Sequence, residues 1–402
     1  MSSLGLIHGG GDAVSLRAKA IEYSIAALVV NCNVEKAAQS NGIQRMKRVR
    51  IGVVGAGTTA EWGVLPVLSG PDSVAPPDTG AWWARRADSA SSDIRYQPPA
   101  RPEVVAICDL DRARAERVAQ MSRVRAVYTD WRAMLREVEL DAVVCTAQAD
   151  VARQIALALP PNCGLWIEGL PSYSLESAQL LENDLRAKSD KLWCARIARQ
   201  TAAHRAARRL VERDQIGAAS ALSLRWGTPF AAFKENEAGE DESRIASSYA
   251  ALDLLLAFAS GQSSTRNAAT PLSGTVSAFQ NAAATTLTIQ FDNGLLATAL
   301  FAGAESWSAP LPRLEVCGTQ GRFLVCEAGR RLWLHQPREA ARFWEPPGLS
   351  HHVSGANING LAEDMKGFFS WCAAKEGESS ALLHGCGASL VQANVALHLL
   401  NA

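Results

Sequence analysis

From about residue 48 to residue 187, short β-branched runs alternate with stretches of helical spacing. Val49-Arg50-Ile51-Gly52-Val53-Val54 is the first run, and Gly55-Ala56-Gly57-Thr58-Thr59-Ala60 carries it into a helical stretch ending near Leu68. Similar strands are predicted from Val104 to Asp109, from Ala142 to Thr146 and through Trp166-Ile167-Glu168, with helices over 112–121, 131–137 and 175–187. Strands apolar on both sides belong in a parallel sheet covered by helices on each face. Beyond about residue 215 the period becomes two, as in the runs Ala221 to Trp226 and Thr285 to Phe291. Asp292-Asn293-Gly294 then turns the chain into Leu295 to Leu300, a hairpin signal. Strands over 313–316 and 322–326, with helices over 202–212, 249–260, 359–374 and 387–400, predict a mostly antiparallel sheet with helices on one face. Alternation sets Thr285, Leu287, Ile289 and Phe291 on the face opposite Thr286, Thr288 and Gln290, and leaves the second set on the open or interface side.

Between the first helix and second strand, residues 70–102 are rich in Pro, Ser, Asp, Gly and Arg around Trp82-Trp83, which reads as a long inserted loop. Residues 1–48 read as an extension. The expected organisation is thus an extension over 1–48, a first domain over 49–172 that includes the insertion, and a second over 173–402.

Composition narrows the function classes. Forty basic side chains balance forty acidic ones, which argues against a general nucleic-acid binder. No apolar run approaches the roughly 20 residues that span a bilayer, so no membrane partner is expected. Arg17, Lys19 and Glu22 before Ile25 to Val30 do not resemble a secretory leader, and a cytoplasmic location is expected. The nine cysteines include no Cys-x-x-Cys, so they read as buried reduced thiols rather than metal ligands.

The chemistry concentrates at Gly55-x-Gly57-x-x-Ala60, which fits a G-x-G-x-x-G/A turn between strand and helix. Gly55 allows the tight turn, Gly57 lets a pyrophosphate approach the backbone, and Ala60 lets helix and strand pack closely. Thr58 and Thr59 open the helix, whose free N–H groups face the anion. Once the insertion is discounted, Asp109 stands where an acid would meet the ribose hydroxyls; the alternative is that Asp109 and Asp111 merely cap the next helix. Arg112 could meet a 2′-phosphate, so NAD and NADP both remain open. The fold class these signals specify is α/β: an N-terminal Rossmann-type doubly wound parallel sheet followed by a C-terminal α+β domain with a largely antiparallel open sheet.

From about Arg48 to Leu400 the order of elements resembles the glucose-fructose oxidoreductase, inositol dehydrogenase and rhizopine-catabolism (Gfo/Idh/MocA) family. The resemblance rests on the glycine turn, Tyr128-Thr129-Asp130-Trp131, Asp141 to Thr146, Leu210-Val211 with Ile216-Gly217, Phe291-Asp292-Asn293-Gly294 and Cys317-Gly318-Thr319-Gln320-Gly321. It implies NAD or NADP as cofactor, a small-molecule substrate and a homodimer or homotetramer packed through the C-terminal sheets. It also implies cofactor contacts from Thr146, Gln148 and Glu168. The family's proton-transfer residues are missing. Its Glu-Lys-Pro motif falls on Glu168-Gly169-Leu170, and its Asp-x-x-x-His-x-x-Asp motif on Ala246, Ala250 and Asp253. Oxidation of an alcohol needs a base near the hydroxyl, and Gly169, Ala246 and Ala250 supply none. Tyr249 as proton donor and Arg244 as anion binder are the remaining catalytic candidates. His204, with Arg205, Arg208 and Arg209, reads as a basic solvated helix face. A weaker similarity to thiazolinyl imine reductases suggests reduction of a C=N, C=C or C=O group. The competing expectation is a catalytically inactive dinucleotide-binding sensor or partner-binding protein.

Overall fold

The computed structural model describes residues 47–69, 100–160, 162–169, 192–228, 238–260, 274–280, 284–303, 312–344 and 356–373. Residues 1–46 of the extension, nearly all of the insertion and the helices expected over 175–187 and 387–400 lie outside the described residues.

The first sheet is built from β1 (Lys47–Val54), β2 (Ala100–Cys108), β3 (Ala126–Tyr128), β4 (Ala142–Cys145), β5 (Gly164–Ile167) and β6 (Leu192–Cys194). Its spatial order is β3-β2-β1-β4-β5-β6, and every pairing is parallel. This is the doubly wound order 3-2-1-4-5-6, in which the chain reverses direction beside β1 and opens a ligand crevice between β1 and β4. β6 lies beyond residue 172, where the sequence pattern set the domain limit, and extends this sheet. α2 (Arg112–Met121), α3 (Trp131–Glu137) and α4 (Ala149–Ala158) are its described crossover helices. Asp111 and Asp130 cap the first two, accepting from the amides of Arg114 and Arg132. After the glycine turn the helix opens as a π turn, Ala60–Val64, before α1 (Leu65–Ser69). Pro66 brings no amide and its ring would crowd the preceding turn, which accounts for the widening.

The second sheet holds β7 (Ala219–Thr228), β8 (Gly274–Gln280), β9 (Ala284–Phe291), β10 (Leu296–Gly303), β11 (Arg313–Gly318), β12 (Phe323–Glu327), β13 (Arg331–His335) and β14 (Arg342–Trp344). The order is β14-β13-β12-β11-β7-β10-β9-β8, antiparallel except where β7 and β10 run parallel. The predicted hairpin is present: β9 and β10 pair antiparallel across Asp292-Asn293-Gly294. Leu287, Ile289 and Phe291 are buried while Gln290 is exposed, as the alternation requires. α5 (Ala202–Glu212) and α6 (Ala238–Ser260) belong to this half, and their buried residues share one core with the sheet's inner face.

α7 (Ala356–Ala373) packs on the first sheet instead. Its Met365, Phe368, Phe369 and Trp371 join Val49, Ile51 and Val53 of β1 in a second core. Within that core the fully buried Asp364 carboxylate accepts from the indoles of Trp166 (2.8 Å) and Trp193 (3.1 Å) and from the Arg196 amide (3.2 Å). A buried carboxylate is stable only with such donors. Its three bonds tie α7 to the ends of β5 and β6.

Candidate functional site

The residues that follow β1, β4, β5 and β6 share one edge of the parallel sheet. Each donates its amide to the last carbonyl of a neighbouring strand: Gly55 to Cys108 (2.9 Å), Thr146 to Val54 (2.9 Å), Glu168 to Cys145 (3.1 Å) and Ala195 to Ile167 (2.9 Å). This stepped rim brings Gly55, Thr146 and Glu168, far apart in sequence, to the same crevice.

Gly55 adopts φ +91°, and a Cβ there would sit 2.9 Å from both the Ala147 nitrogen and the Thr146 hydroxyl. Only glycine fits. Gly57 is different, because no atom lies within 4 Å of where its Cβ would be. Its open side is the space a pyrophosphate would need, and the residues present therefore fit a dinucleotide. Two side chains hold the turn. The Thr146 hydroxyl donates to the Gly55 carbonyl at 2.9 Å, and the Asp109 carboxylate accepts from the Ala56 amide at 2.7 Å. Asp109 also accepts from the Asp111 amide at 2.8 Å, and the Arg114 guanidinium lies 3.6 Å away. The helix cap is Asp111, whereas Asp109 fastens the turn. Arg112 spends its guanidinium on Glu116 one turn along α2, and Thr58 is exposed beside the turn. Sequence reading misses Glu61, a buried acid inside the π turn paired with Arg117 of α2. Its place after a glycine turn and four residues before an apolar helix position gives no signal of burial.

Toward β5, Glu168 is exposed at the rim, yet the protein crowds its carboxylate, and this desolvation raises its pKa. A hydrogen bond from the Thr59 hydroxyl offsets part of the rise. Gly169 follows with φ +83°, and no atom lies within 4 Å of where a Cβ would project from it. Gln148 is exposed at the start of α4, its carbonyl accepting from Val151 and Ala152. Cys145 is no nucleophile, because burial pushes its thiol up to about 11.

The positions onto which the resemblance places the second catalytic motif lie on α6. Asp253 is buried and accepts both ends of the Arg199 guanidinium, so its charge is already matched. Tyr249 is 2% exposed, its hydroxyl has no hydrogen-bond partner among the described residues, and burial holds its pKa well above the ordinary value, so it stays protonated. Ala250 is adjacent. Arg244 lies on α6, but its side chain and that of Ala246 are outside the described residues. The expectation of a basic solvated face on α5 is corrected at His204, which is fully buried. Its Nδ1 lies 2.7 Å from the Ala198 carbonyl and 2.9 Å from the Thr201 hydroxyl, and burial lowers its pKa to about 4. Arg205 and Arg208 are half-buried and paired with Glu363 and Glu212. Among the described residues no group of three or more His, Cys, Asp or Glu could hold a metal ion.

No protein-family model matches the chain, and no curated protein matches it. Solved structures do. A dehydrogenase from Chromobacterium violaceum superposes with TM-score 0.64 at 18% identity, covering 88% of this chain and 94% of that one. Levoglucosan dehydrogenase, in complex with NADH and levoglucosan, gives TM-score 0.62 at 14% identity over 88% and 98%. A myo-inositol dehydrogenase from Corynebacterium glutamicum gives 0.58 at 15% over 88% and 95%. These neighbours are dehydrogenases of the Gfo/Idh/MocA type, and the two-sheet fold expected from the sequence is the fold they share with this chain.

Proposed function

We propose that the chain binds NAD or NADP in the crevice between β1 and β4 and is an oxidoreductase that reduces a C=N, C=C or C=O group of a small metabolite. The observation that carries this reading is the clamped glycine turn, held by Asp109 and Thr146 with Gly57 left open. Gly55, Gly57, Thr58, Thr59 and Ala60 would hold the pyrophosphate, Asp109 the adenosine ribose, Arg112 a 2′-phosphate if released from Glu116, and Thr146, Gln148 and Glu168 the nicotinamide half. A nicotinamide cofactor bound there supplies or removes a hydride. The chain's own part is to handle the proton.

Gly169 and Ala250 cannot do so. Glu168 is an ionisable group on the rim beside Gly169, and its raised pKa favours a carboxyl that retains its proton for donation as the substrate is reduced. Tyr249 is a second proton donor, one that would need substrate to reach its buried hydroxyl. The enzyme reading is supported by the NADH and sugar ligands that the neighbouring levoglucosan dehydrogenase binds. Absence of a lysine at Gly169 and a histidine at Ala250 favours the second reading, a dinucleotide-binding protein without turnover. A panel of imines, enones, ketones and alcohols, followed by NAD(P)H absorbance with the full chain, separates the two: bound cofactor with no turnover on any of them rejects the enzyme.

A second copy of the chain is the proposed partner, seated on the open face of the second sheet. Register aligns Phe279, Thr286, Leu300, Arg225 and Arg313 in one row and Gln290, Leu296, Ala221, Cys317, Phe323 and His335 in another. Phe279, Leu296, Phe323 and Phe343 are exposed there, and Phe323 stacks on His335 at 4.2 Å. Such a face suits a subunit contact.

A further inference from the structure

We propose that Arg196 binds a carboxylate of the substrate, so that the metabolite handled at this site is a small carboxylic acid. This rests on the dinucleotide reading, because it takes the crevice edge beside β5 and β6 as the substrate side.

Arg196 lies two residues beyond β6, on the same rim as Gly55, Thr146 and Glu168. β6 is three strand spacings from β1, ~14 Å at ~4.8 Å each, on the side away from Asp109 and β2. That separation puts Arg196 clear of the pyrophosphate and the adenosine end, next to the strand that bears Glu168.

Three guanidiniums that follow in the chain have an acid: Arg199 has Asp253, Arg205 has Glu363 and Arg208 has Glu212. Arg196 forms no such ion pair among the described residues. Its Nε is buried without an acceptor, as are those of Arg205 and Arg208, and its guanidinium lies 4.8 Å over the Trp193 ring. The nearby carboxylate of Asp364 uses its oxygens on the two indoles and on the Arg196 amide rather than on the guanidinium. The same carboxylate therefore fixes both the backbone of Arg196 and the ring on which its side chain rests. Asp364 is the counter-charge of Arg196 through space, but the guanidinium makes no ion pair with it, and a half-buried cation held in place in advance loses little entropy when an anion arrives. Its planar fork matches the two oxygens of a carboxylate. Phosphate would call for more donors than one fork.

Among the described residues the buried side-chain polar atoms without a partner are the Nε atoms of Arg196, Arg205 and Arg208, His204 Nε2 and the Tyr249 hydroxyl. The Tyr249 hydroxyl projects from α6, which packs against the 3₁₀ turn Ile197–Gln200 that follows Arg196, and Arg196 acts electrostatically on it.

The test uses the full chain loaded with NADH and reads cofactor fluorescence as oxalate or malonate is added, against the neutral isosteres oxamide and malonamide and against inorganic phosphate. The expected result is at least tenfold tighter binding of each dianion than of its diamide and of phosphate. Arg196→Gln should abolish that preference, Arg196→Lys should retain part of it, and NADH affinity should stay within about twofold throughout. Equal binding of dianions and diamides, an unchanged preference in Arg196→Gln, or phosphate bound as tightly as malonate would overturn the assignment. Wild-type protein that does not bind NADH would instead overturn the dinucleotide reading, and the same anion series read by thermal shift on the free protein would then decide the case of Arg196.

Discussion

The carboxylate of Asp109 accepts a hydrogen bond from the Ala56 amide at 2.7 Å, which ties the end of β2 to the glycine turn 53 residues earlier in the chain. A second bond, from the Asp111 amide, fixes the other oxygen. One residue thereby shapes the turn and presents an acid where the proposed function places the ribose.

Asp109→Ala removes an acceptor from a backbone amide in the turn. Hydrogen bonds to a charged group are worth about 1.5–3 kcal/mol, which corresponds to roughly 10- to 100-fold in affinity. NADH binding should weaken by that factor, measured by fluorescence titration, and the ratio of NADH to NADPH affinity should fall. An unchanged ratio would show that β2 does not face the ribose.

Glu168→Gln keeps the shape and removes the proton. Turnover should fall by about 10²-fold or more while NADH affinity changes little. In the wild type the carboxyl must be protonated to donate, and its pKa is raised, so reduction should slow as pH rises through that folded value. Stopped-flow rates across the acidic and neutral range check the profile, and a rate independent of this residue would return Tyr249 to the first place.

His204 makes a separate prediction about stability. Its folded pKa is lowered to about 4 from 6.5, so between those values the unfolded chain binds a proton that the folded chain does not. Stability should therefore fall as pH drops through that window, by about 1.4 kcal/mol per pH unit from this residue. Denaturant melts of wild type and His204→Gln at neutral pH and within the acidic window isolate the effect, because the variant lacks the slope contributed by this site.

Much of the first sheet is legible in the sequence because Val104 to Cys108 and Ala142 to Cys145 lie between helical layers and so read as apolar runs. β3 and β6 have only three residues each, too short to show a period. β8 is an edge strand whose described side chains are largely exposed, so Gly274 to Gln280 carries no apolar alternation. The glycine turn after β1 is legible as well, since glycine spacing reflects backbone need. The buried polar groups are not. Asp364 meets Trp193 and Trp166 across 171 and 198 residues, and Arg199 meets Asp253 across 54, separations that no local pattern reveals. His204 reads wrongly from sequence because its arginine neighbours are half-buried ion-pair partners rather than a solvated face.

The open face of the second sheet carries a prediction about assembly. Phe323→Glu places a charge beside the stacked His335 and should convert an oligomer to monomer in sedimentation velocity at micromolar concentration. Wild-type protein that sediments as a monomer would contradict the proposed contact.

The most direct measurement of the central claim is NADH affinity of Gly57→Asp against wild type, with circular dichroism to establish that both are folded. Gly57 has no neighbour within 4 Å of a Cβ, so the new side chain enters the space assigned to the pyrophosphate, and brings a negative charge. The predicted result is a folded variant with thermal stability close to wild type and NADH binding weakened by about 100-fold or more, as charge repulsion and lost backbone approach together require. A folded variant that binds NADH as tightly as wild type would contradict the placement of a dinucleotide in this crevice.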